Sequence, residues 1–379
     1  MLRVLRGRRI RHIAGQVVFL AVVAAALAWL RNNLLANLSQ AGIDTSYHFL
    51  RQPAGFDIGG SSFRSSETVG AALLVALRNT IAVSAAGIVL ATSLGLLVGI
   101  ARLSPNWLLR RVAGLYVETL RNVPVLVTIV FLYQAIALRL PAIEHPLEPL
   151  GVAVVSNRGV WIPWVAAARS LGGLAAAVGV GIVLAAAVAS RLRRRRERGM
   201  GAGGLWGGSI VVVALVAGWA ASGASVSVPH LTGRVVEGGF RLQTELAALL
   251  GGLVLYTSSH IAEIVRASIL AVPRGQSEAA EALGLTTPQR LRLVVVPQAL
   301  RIMIPPLANQ YLNLTKNSSL GVAIAFPELT SVVRIVIASG SPAPQAVSVL
   351  IAAYLTLSLT IAAAMNLFNR RLLATWRSA

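Results

Sequence analysis

The sequence predicts an all-α, polytopic membrane protein with about eight transmembrane helices and both termini in the cytoplasm. The 379 residues are 56% hydrophobic and only 12% charged, and the mean hydropathy is +0.72. Long apolar runs recur, and each can cross about 30 Å of hydrocarbon, which takes roughly 20 helical residues. Segments of about ten residues that alternate in polarity, as a membrane β-barrel requires, are not apparent.

Eight apolar segments define the predicted spans. They cover residues 13–30, 79–101, 115–138, 162–190, 205–222, 246–270, 301–325 and 346–368. Arginines precede the first span and follow every even-numbered one, including the run RLRRRRER at 191–198. Because basic residues concentrate in cytoplasmic loops, this pattern predicts that both termini are cytoplasmic. The formal net charge of +21 is then explained by topology, and we expect no nucleic-acid partner.

Several kinds of site are excluded or disfavoured by residue type. The chain has no cysteine, so disulfides, thiolate metal sites and cysteine nucleophiles are excluded. Its five histidines show no metal-ligand spacing, and no P-loop motif for ATP is present. We therefore expect no catalytic centre, no metal and no cofactor in this chain. The first apolar segment is too long for a typical signal peptide and is predicted to stay uncleaved.

The stretch ANQYLNLTKNSSLG at 308–321 is unusually polar and holds the only lysine, Lys316. Since the chain is predicted to be cytoplasmic before residue 301 and again at its end, one crossing must lie between 301 and 345. A span at 318–338 would bury both Glu328 and Arg334. A span at 301–325 ends naturally before Pro327, and we favour it. It leaves Glu328 and Arg334 on a short surface helix.

The polar residues of this predicted span fall on one helix face. At 3.6 residues per turn, Asn309, Asn313 and Lys316 lie within an arc of roughly 60°, with Gln310 and Asn317 beside them. A lysine at the bilayer centre costs about 2.5–3.5 kcal/mol, so such residues normally face a bundle interior or a wet cavity. We interpret the face as a substrate path. The alternatives are interhelical hydrogen bonds, or a lysine that extends to the membrane surface.

A second pair of charges lies in the span at 246–270. Glu263 and Arg266 are three residues apart and can pair with each other on one face. The pair is predicted either to stabilise the cytoplasmic end of the helix or to contact substrate in the path.

The segment 272–301 predicts two short helices joined at a glycine. Ser277 is the predicted cap of the first helix, whose first turn would hold Glu278 and Glu281. Gly284 suits the left-handed position that ends a helix. Thr287, followed by Pro288, is the predicted cap of the second helix.

The same segment closely resembles the EAA loop of bacterial ABC importer permeases. Glu278-Ala279-Ala280 is followed after three residues by Gly284, and after nine more by Val294-Val295-Val296-Pro297. Valines stand where the family pattern has isoleucine and leucine. The neighbouring stretches HIAEIVRASILAVPRGQSEAAEALG and LNLTKNSSL resemble the polar and general L-amino-acid branch, with a methionine-importer-like permease fold. The resemblance covers about 69–138 and 243–372.

The resemblance implies a permease subunit of an ATP-driven importer in the bacterial inner membrane. The coupling residues would be Glu278, Ala279, Ala280, Gly284 and Pro297, which contact a separate ATPase. Two ATP-binding cassette subunits would bind ATP and Mg, and a soluble periplasmic protein would deliver L-amino acids. A second permease subunit would complete the path, with a homologous partner favoured over a second copy. Transport would proceed by alternating access in the lipid bilayer.

Four regions are predicted along the chain: 1–68, 69–138, 139–245 and 246–372. The third is an insertion relative to the smallest permeases, and its two extra spans are rich in alanine, glycine and valine. An ion-coupled secondary transporter and a non-transporting membrane scaffold are the alternative functions. The first would need carboxylates or broken helices within the membrane, and Glu263 is its one plausible carboxylate.

Overall fold

The protein is described here from a computed structural model that covers residues 2–40, 42, 46–166 and 225–375. The predicted span at 205–222, the run at 191–198 and most of the span at 162–190 lie outside these residues. The chain divides into two units, of which the first combines residues 1–103 with 261–379 and the second covers 104–260. The predicted region boundaries and the count of eight spans stay predictions.

Long apolar helices dominate the described residues, as predicted. They are α1 (Leu2–Gln40), α2 (Val69–Ala101), α5 (Thr244–Leu270), α8 (Val296–Asn317) and α10 (Ala343–Thr375). Five segments of the described chain are long and apolar enough to cross a membrane, and a bent pair of helices would make a sixth. Five of these six segments contain one of the predicted spans, and Thr287–Ile324 contains all but the last residue of the span at 301–325, which confirms a polytopic helical protein.

The bent pair replaces the continuous third span that the sequence predicts at 115–138. Helix α3 (Trp107–Asn122) and helix α4 (Val125–Phe131), which continues to Arg139 through π and 3-10 turns, meet at 103°. Pro124 lacks an N–H donor and disfavours helical backbone in the residue before it. Val123 is accordingly extended, with φ −98° and ψ 128°.

Short antiparallel strands, which the all-α prediction did not include, lie within the predicted insertion at 139–245. They are β1 (Val154–Ser156), β2 (Gly159–Ile162), β3 (Trp164–Ala166), β4 (Ser225–Ser227), β5 (His230–Thr232), β6 (Val235–Glu237) and β7 (Phe240–Leu242). The pairings are β1-β2-β7, β3-β4 and β5-β6. Residues 162–166 of the predicted fourth span are therefore strand or its connection. Two-residue turns between β-branched runs, such as Gly233-Arg234 with Gly233 at φ +66°, were the missed signal.

The core of the first unit surrounds helix α9 (Leu329–Ala338). Its apolar face packs against α2, α10 and the segment 46–68, which contributes Phe49, Ile58 and Phe63. Residues 46–68 therefore pack over this core. A separate cluster joins α2, α5 and α8 through Ala91, Ile261, Val265, Met303, Leu307 and Leu314.

Within the second unit, α3 and α4 pack against the first part of α5. The Tyr116 hydroxyl lies 2.7 Å from Ser258 Oγ, and Val117 and Ile129 are buried. Gly252 permits the contact with α4, since a Cβ atom there would lie 2.6 Å from Ile129 Cγ1. Among the strands, Trp161 is buried beneath the Arg241 guanidinium, which lies 5.3 Å from the ring centre.

Gly99 sets how closely α2 approaches α5 in the first unit. A Cβ atom at this position would lie 2.8 Å from Val265 Cβ and 2.9 Å from the carbonyl oxygen of Ala262. Both neighbours belong to a packed helix, and the carbonyl cannot move away without shifting the backbone. Only glycine fits this crossing.

We expect Gly99→Ala to lower the free energy of unfolding by about 1–3 kcal/mol, because the added methyl overpacks the crossing. Gly114→Ala is the matched control, because a Cβ atom there has no neighbour within 4 Å. In α3 it should be neutral or stabilise by up to about 1 kcal/mol, the helix-propensity difference. Thermal unfolding midpoints in detergent compare the two variants. Equal midpoints for both would contradict the close approach.

Candidate functional site

Helix α8 carries the polar face that the sequence predicts. Asn309, Asn313 and Lys316 are exposed along one side, and Gln310 and Asn317 are half-buried beside them. On the opposite side, Leu314 and Thr315 are 0% and 1% exposed. The helix therefore has one face packed in the first unit and one polar face that the described residues leave open.

The ammonium group of Lys316 has no acceptor among the described residues. Its carbonyl oxygen accepts a hydrogen bond of 2.7 Å from Ser319 Oγ, which contributes nothing to the charge. Lys316 nevertheless lies in a candidate membrane span, Thr287–Ile324. Since lipid would oppose such a group by about 2.5–3.5 kcal/mol, the polar face needs water, a ligand or another chain against it.

The Glu263 carboxylate is held by two arginines rather than one. Arg266 donates to it from Nη2 at 2.6 Å and from Nε at 3.2 Å, as the predicted pair requires. Arg102, the C-terminal cap of α2, donates from Nη1 to the same carboxylate. Sequence reasoning assigned Arg102 to loop topology alone, because no local pattern links it to a residue so distant in the chain. The cluster joins the end of α2 to α5 beside Gly99.

The EAA segment folds into two short helices and a π turn that lead into α8; we refer to residues 273–300 as the bracket. Helix α6 (Arg274–Ala282) is followed by Gly284 at φ +74°, the left-handed position that the sequence predicts. Helix α7 (Thr287–Arg290) then continues through a π turn, Leu291–Val295, into α8. Glu281 pairs with Arg290, and Gln298 Nε2 donates to Gln276 Oε1 at 3.2 Å.

The predicted caps of both short helices were misplaced. Helix α6 begins directly after Pro273, so Ser277 lies inside it and does not cap it. The fixed φ of proline supports a helix start without a side-chain cap. Thr286, rather than Thr287, caps α7, and its N–H donates to Gln289 Oε1 at 2.9 Å. The capping box formed by Thr286 and Gln289 sets the first residue of α7.

The five predicted coupling residues divide between the two sides of the bracket. Glu278, Ala279 and Gly284 are exposed, whereas Ala280 and Pro297 are buried. Leu283, which sequence reasoning did not single out, is 81% exposed at the end of α6. The bracket thus presents a carboxylate, a small residue and a leucine outward.

The buried Glu328 corrects the prediction of a short surface helix. The helix exists as α9 and Arg334 on it is exposed, but Glu328 is 0% exposed and caps its first turn. Its oxygens accept from the N–H groups of Ser331 at 2.7 Å and Thr330 at 2.8 Å. Burial raises the pKa of Glu328 above its ordinary value, and these hydrogen bonds oppose that rise. Pro327 and Glu328 indicate the start of a helix in the sequence, but the sequence does not show that Glu328 is buried.

Among the other described residues, Arg121 and His260 add no second candidate site. Arg121 is exposed in the last turn of α3, three residues before Pro124. His260 Nδ1 lies 3.0 Å from the carbonyl oxygen of Tyr256, and the two ring centres lie 4.5 Å apart with the rings tilted by 44°. Among the described residues, no group of three or more histidines and carboxylates could hold a metal ion.

The comparison with protein families decides the identity of the chain. Residues 87–374 match the family described as the inner membrane component of binding-protein-dependent transport systems. The chain belongs to this family. The matched range contains α8, the bracket and the last part of α2, residues 87–101. The permease is therefore a multi-pass protein of the bacterial inner membrane.

Two relatives are similar over nearly their whole length. YhdX of Escherichia coli is 40% identical over 369 residues, which cover 94% of the permease and 93% of YhdX. The general L-amino acid transport system permease protein AapQ of Rhizobium johnstonii is 38% identical over 375 residues, covering 96% and 92%. A solved amino acid ABC transporter with histidines covers 80% of the permease and 94% of its own chain, with TM-score 0.49 and 19% identity. By its likeness to YhdX and AapQ, the permease belongs with the amino-acid ABC transporter permeases, which are transport subunits and not enzymes.

We expect Glu263→Gln to destabilise the permease, because two arginines then face each other without a carboxylate. Removing one partner of a buried ion pair costs about 3–5 kcal/mol, and we expect about 1–3 kcal/mol for this partly exposed cluster. Glu118→Gln is the control, since Glu118 is exposed on α3. A thermal unfolding midpoint of Glu263→Gln equal to that of the control would show that the cluster contributes nothing to stability.

Proposed function

We propose that the permease lines the translocation path of an ATP-driven L-amino-acid importer with the polar face of α8, and couples to a separate ATPase through the bracket at 273–300. The observation that carries the proposal is the exposed ammonium of Lys316 on a membrane helix with no acceptor among the described residues. A substrate path supplies both the water and the carboxylate that such a group requires.

The chemistry of the face suits a zwitterionic substrate. An ammonium donates charge-assisted hydrogen bonds to a carboxylate, and these are roughly twice as strong as neutral ones. The amides of Asn309 and Asn313 can accept from an α-ammonium or donate to a carboxylate. The name of AapQ, a general L-amino acid permease, supports the same substrate class for this chain.

The bracket has the properties of a coupling element. The ion pair of Glu281 with Arg290 and the hydrogen bond from Gln298, in the first turn of α8, to Gln276 support the proposal that the bracket moves with α8. The outward-facing Glu278 and Leu283 offer a charge and an apolar side chain to a partner. Two ATP-binding cassette subunits would bind ATP and Mg, and their closure would displace both brackets. The path would then open to alternate sides of the membrane.

Two further partners complete the proposed assembly. The family description names a binding protein, which we propose to be a soluble periplasmic protein that delivers the amino acid. A second permease, homologous to this chain, would cover the open polar face of α8 across the path. The ion-coupled alternative loses its carboxylate, because Glu263 is already bound by Arg102 and Arg266.

We expect Lys316→Met to reduce amino-acid uptake by about tenfold or more, since a hydrogen bond to a charged group contributes about 1.5–3 kcal/mol. Membrane insertion and ATPase binding should be unaffected. Arg334→Met, which removes an exposed cation of α9 outside the polar face, is the control and should retain uptake. Uptake is measured in proteoliposomes that hold the assembled complex. Normal uptake by Lys316→Met would return the polar face to a purely structural role.

Leu283→Ser should weaken binding of the ATPase by about tenfold or more, because burial of a leucine contributes about 1.5–3 kcal/mol. Leu270→Ser is the matched control, because Leu270 is 59% exposed in the same unit but lies outside the bracket. The fraction of permease that retains ATPase on an affinity column measures the effect. Equal retention in both variants would remove Leu283 from the docking surface.

A further inference from the structure

We propose that Glu328 is a positioning residue of the substrate path, whose buried carboxylate fixes the turn after α8 and thereby the orientation of the Lys316 face. The inference rests on the proposed function, in which that face lines the path. It assigns a role in transport to a group that contacts no substrate.

The turn after α8 is held in an unusual conformation. The helix ends at Asn317 and continues as a 3-10 helix, Ser318–Ile324. Ala325 then adopts the left-handed conformation, with φ +58°. A left-handed residue other than glycine costs about 1–3 kcal/mol and persists only where its surroundings impose it. Contacts from neighbouring helices are therefore needed to hold this turn.

Three helices provide these contacts, and they converge on Pro327 to Leu329. From α2, Asn79 Nδ2 donates to the carbonyl oxygen of Pro327 at 2.9 Å, and Thr80 Oγ1 accepts from the N–H of Leu329 at 3.1 Å. From α10, the Tyr354 hydroxyl donates to Glu328 Oε2 at 3.0 Å. The same carboxylate caps α9. Glu328 therefore joins α9 to α10 at this turn, together with the Thr330 hydroxyl, which lies 3.4 Å from the Tyr354 hydroxyl.

The site requires a carboxylate rather than a polar side chain of the same size. Oε1 accepts from Ser331 N–H, while Oε2 accepts from Thr330 N–H and the Tyr354 hydroxyl. A glutamine would replace one oxygen by an NH2 group, which would face donors without an acceptor between them. The N-terminus of α9 also favours a negative charge. Glu328→Gln should therefore release the turn without changing its volume.

The turn is continuous with the residues of the path. Ser318 Oγ donates to the carbonyl oxygen of Thr315 at 2.7 Å, and Ser318 and Thr315 are 0% and 1% exposed. The 3-10 segment contacts α2, α8 and α9. Each residue of a 3-10 helix turns the chain by about 120°. If the turn at Ala325 is displaced, we expect the 3-10 segment to rewind and the last residues of α8 to rotate about the helix axis. Such a rotation carries Lys316 out of the path and Thr315 toward it.

Cysteine labelling tests this orientation directly, because the chain has no cysteine of its own. Lys316→Cys and Thr315→Cys are prepared separately in the assembled complex, with partner subunits that lack reactive thiols. A water-soluble maleimide should label position 316 rapidly and position 315 slowly. Adding Glu328→Gln should reduce the ratio of the two rates by about fivefold, the factor that corresponds to about 1 kcal/mol.

Two companion variants separate positioning from loss of stability. Tyr354→Phe removes one donor to the carboxylate and should change the ratio in the same direction by a smaller factor. Thr68→Ala removes the N-terminal cap of α2, where Thr68 Oγ1 accepts from Ala71 N–H at 3.2 Å. It should lower the thermal midpoint and leave the ratio unchanged.

The outcomes distinguish the inference from the function on which it rests. If position 316 is not labelled in the otherwise unmodified permease, the face is not wet and the proposed path fails. If it is labelled but Glu328→Gln leaves the ratio as it was, the path stands and the positioning role is wrong. A ratio that falls equally in Thr68→Ala would also overturn the inference, since general loosening would then explain it.

Discussion

The uncompensated charge of Lys316 constrains the rest of the molecule. A helix that carries an ammonium group in the membrane needs one face against water or another chain and the opposite face firmly packed. Helix α8 meets both conditions, because Leu307 and Leu314 lie in the cluster with α2 and α5 while the polar face stays open. The close approach at Gly99 holds α2 against α5, the two helices on which α8 packs, and in the proposed role Glu328 fixes the turn that follows α8.

Unlike Lys316, the carboxylates of Glu263 and Glu328 are compensated within the chain, and this contrast separates their roles. Glu263 is bound by two arginines, and Glu328 by backbone N–H groups and a tyrosine hydroxyl. Polar groups whose hydrogen-bond partners are all present rigidify a structure, because moving them leaves a buried polar group unpaired and lowers stability. Lys316 has no such partner among the described residues and is available to a ligand. Hydrogen bonds thus separate the two carboxylates that are bound within the chain from the ammonium of Lys316, which is open to a ligand.

Sequence reasoning succeeded where the information is local or periodic and failed where it depends on distant contacts. Hydropathy located the long helices, the 3.6-residue period located the polar face, and fixed spacing located the bracket. The partner of Glu263 in α2 and the burial of Glu328 arise from residues far away in the chain, which periodicity does not report. The bend at Val123 and the short hairpins had local signals, Pro124 and two-residue turns, which the strong hydropathy signal obscured.

The bracket and the polar face occupy opposite ends of α8, and in the proposed function this arrangement lets coupling reach the path. The helix has 22 residues, so it spans about 33 Å. Val295 and Ala299 pack with Val272 at its start, which fastens the bracket to the first turn. Pro305 and Pro306 lie between the bracket and the face, and proline removes backbone hydrogen bonds and permits a kink. In the proposed mechanism, a displacement at the bracket therefore reaches Lys316 as a tilt about these prolines, while the turn at Glu328 holds the far end.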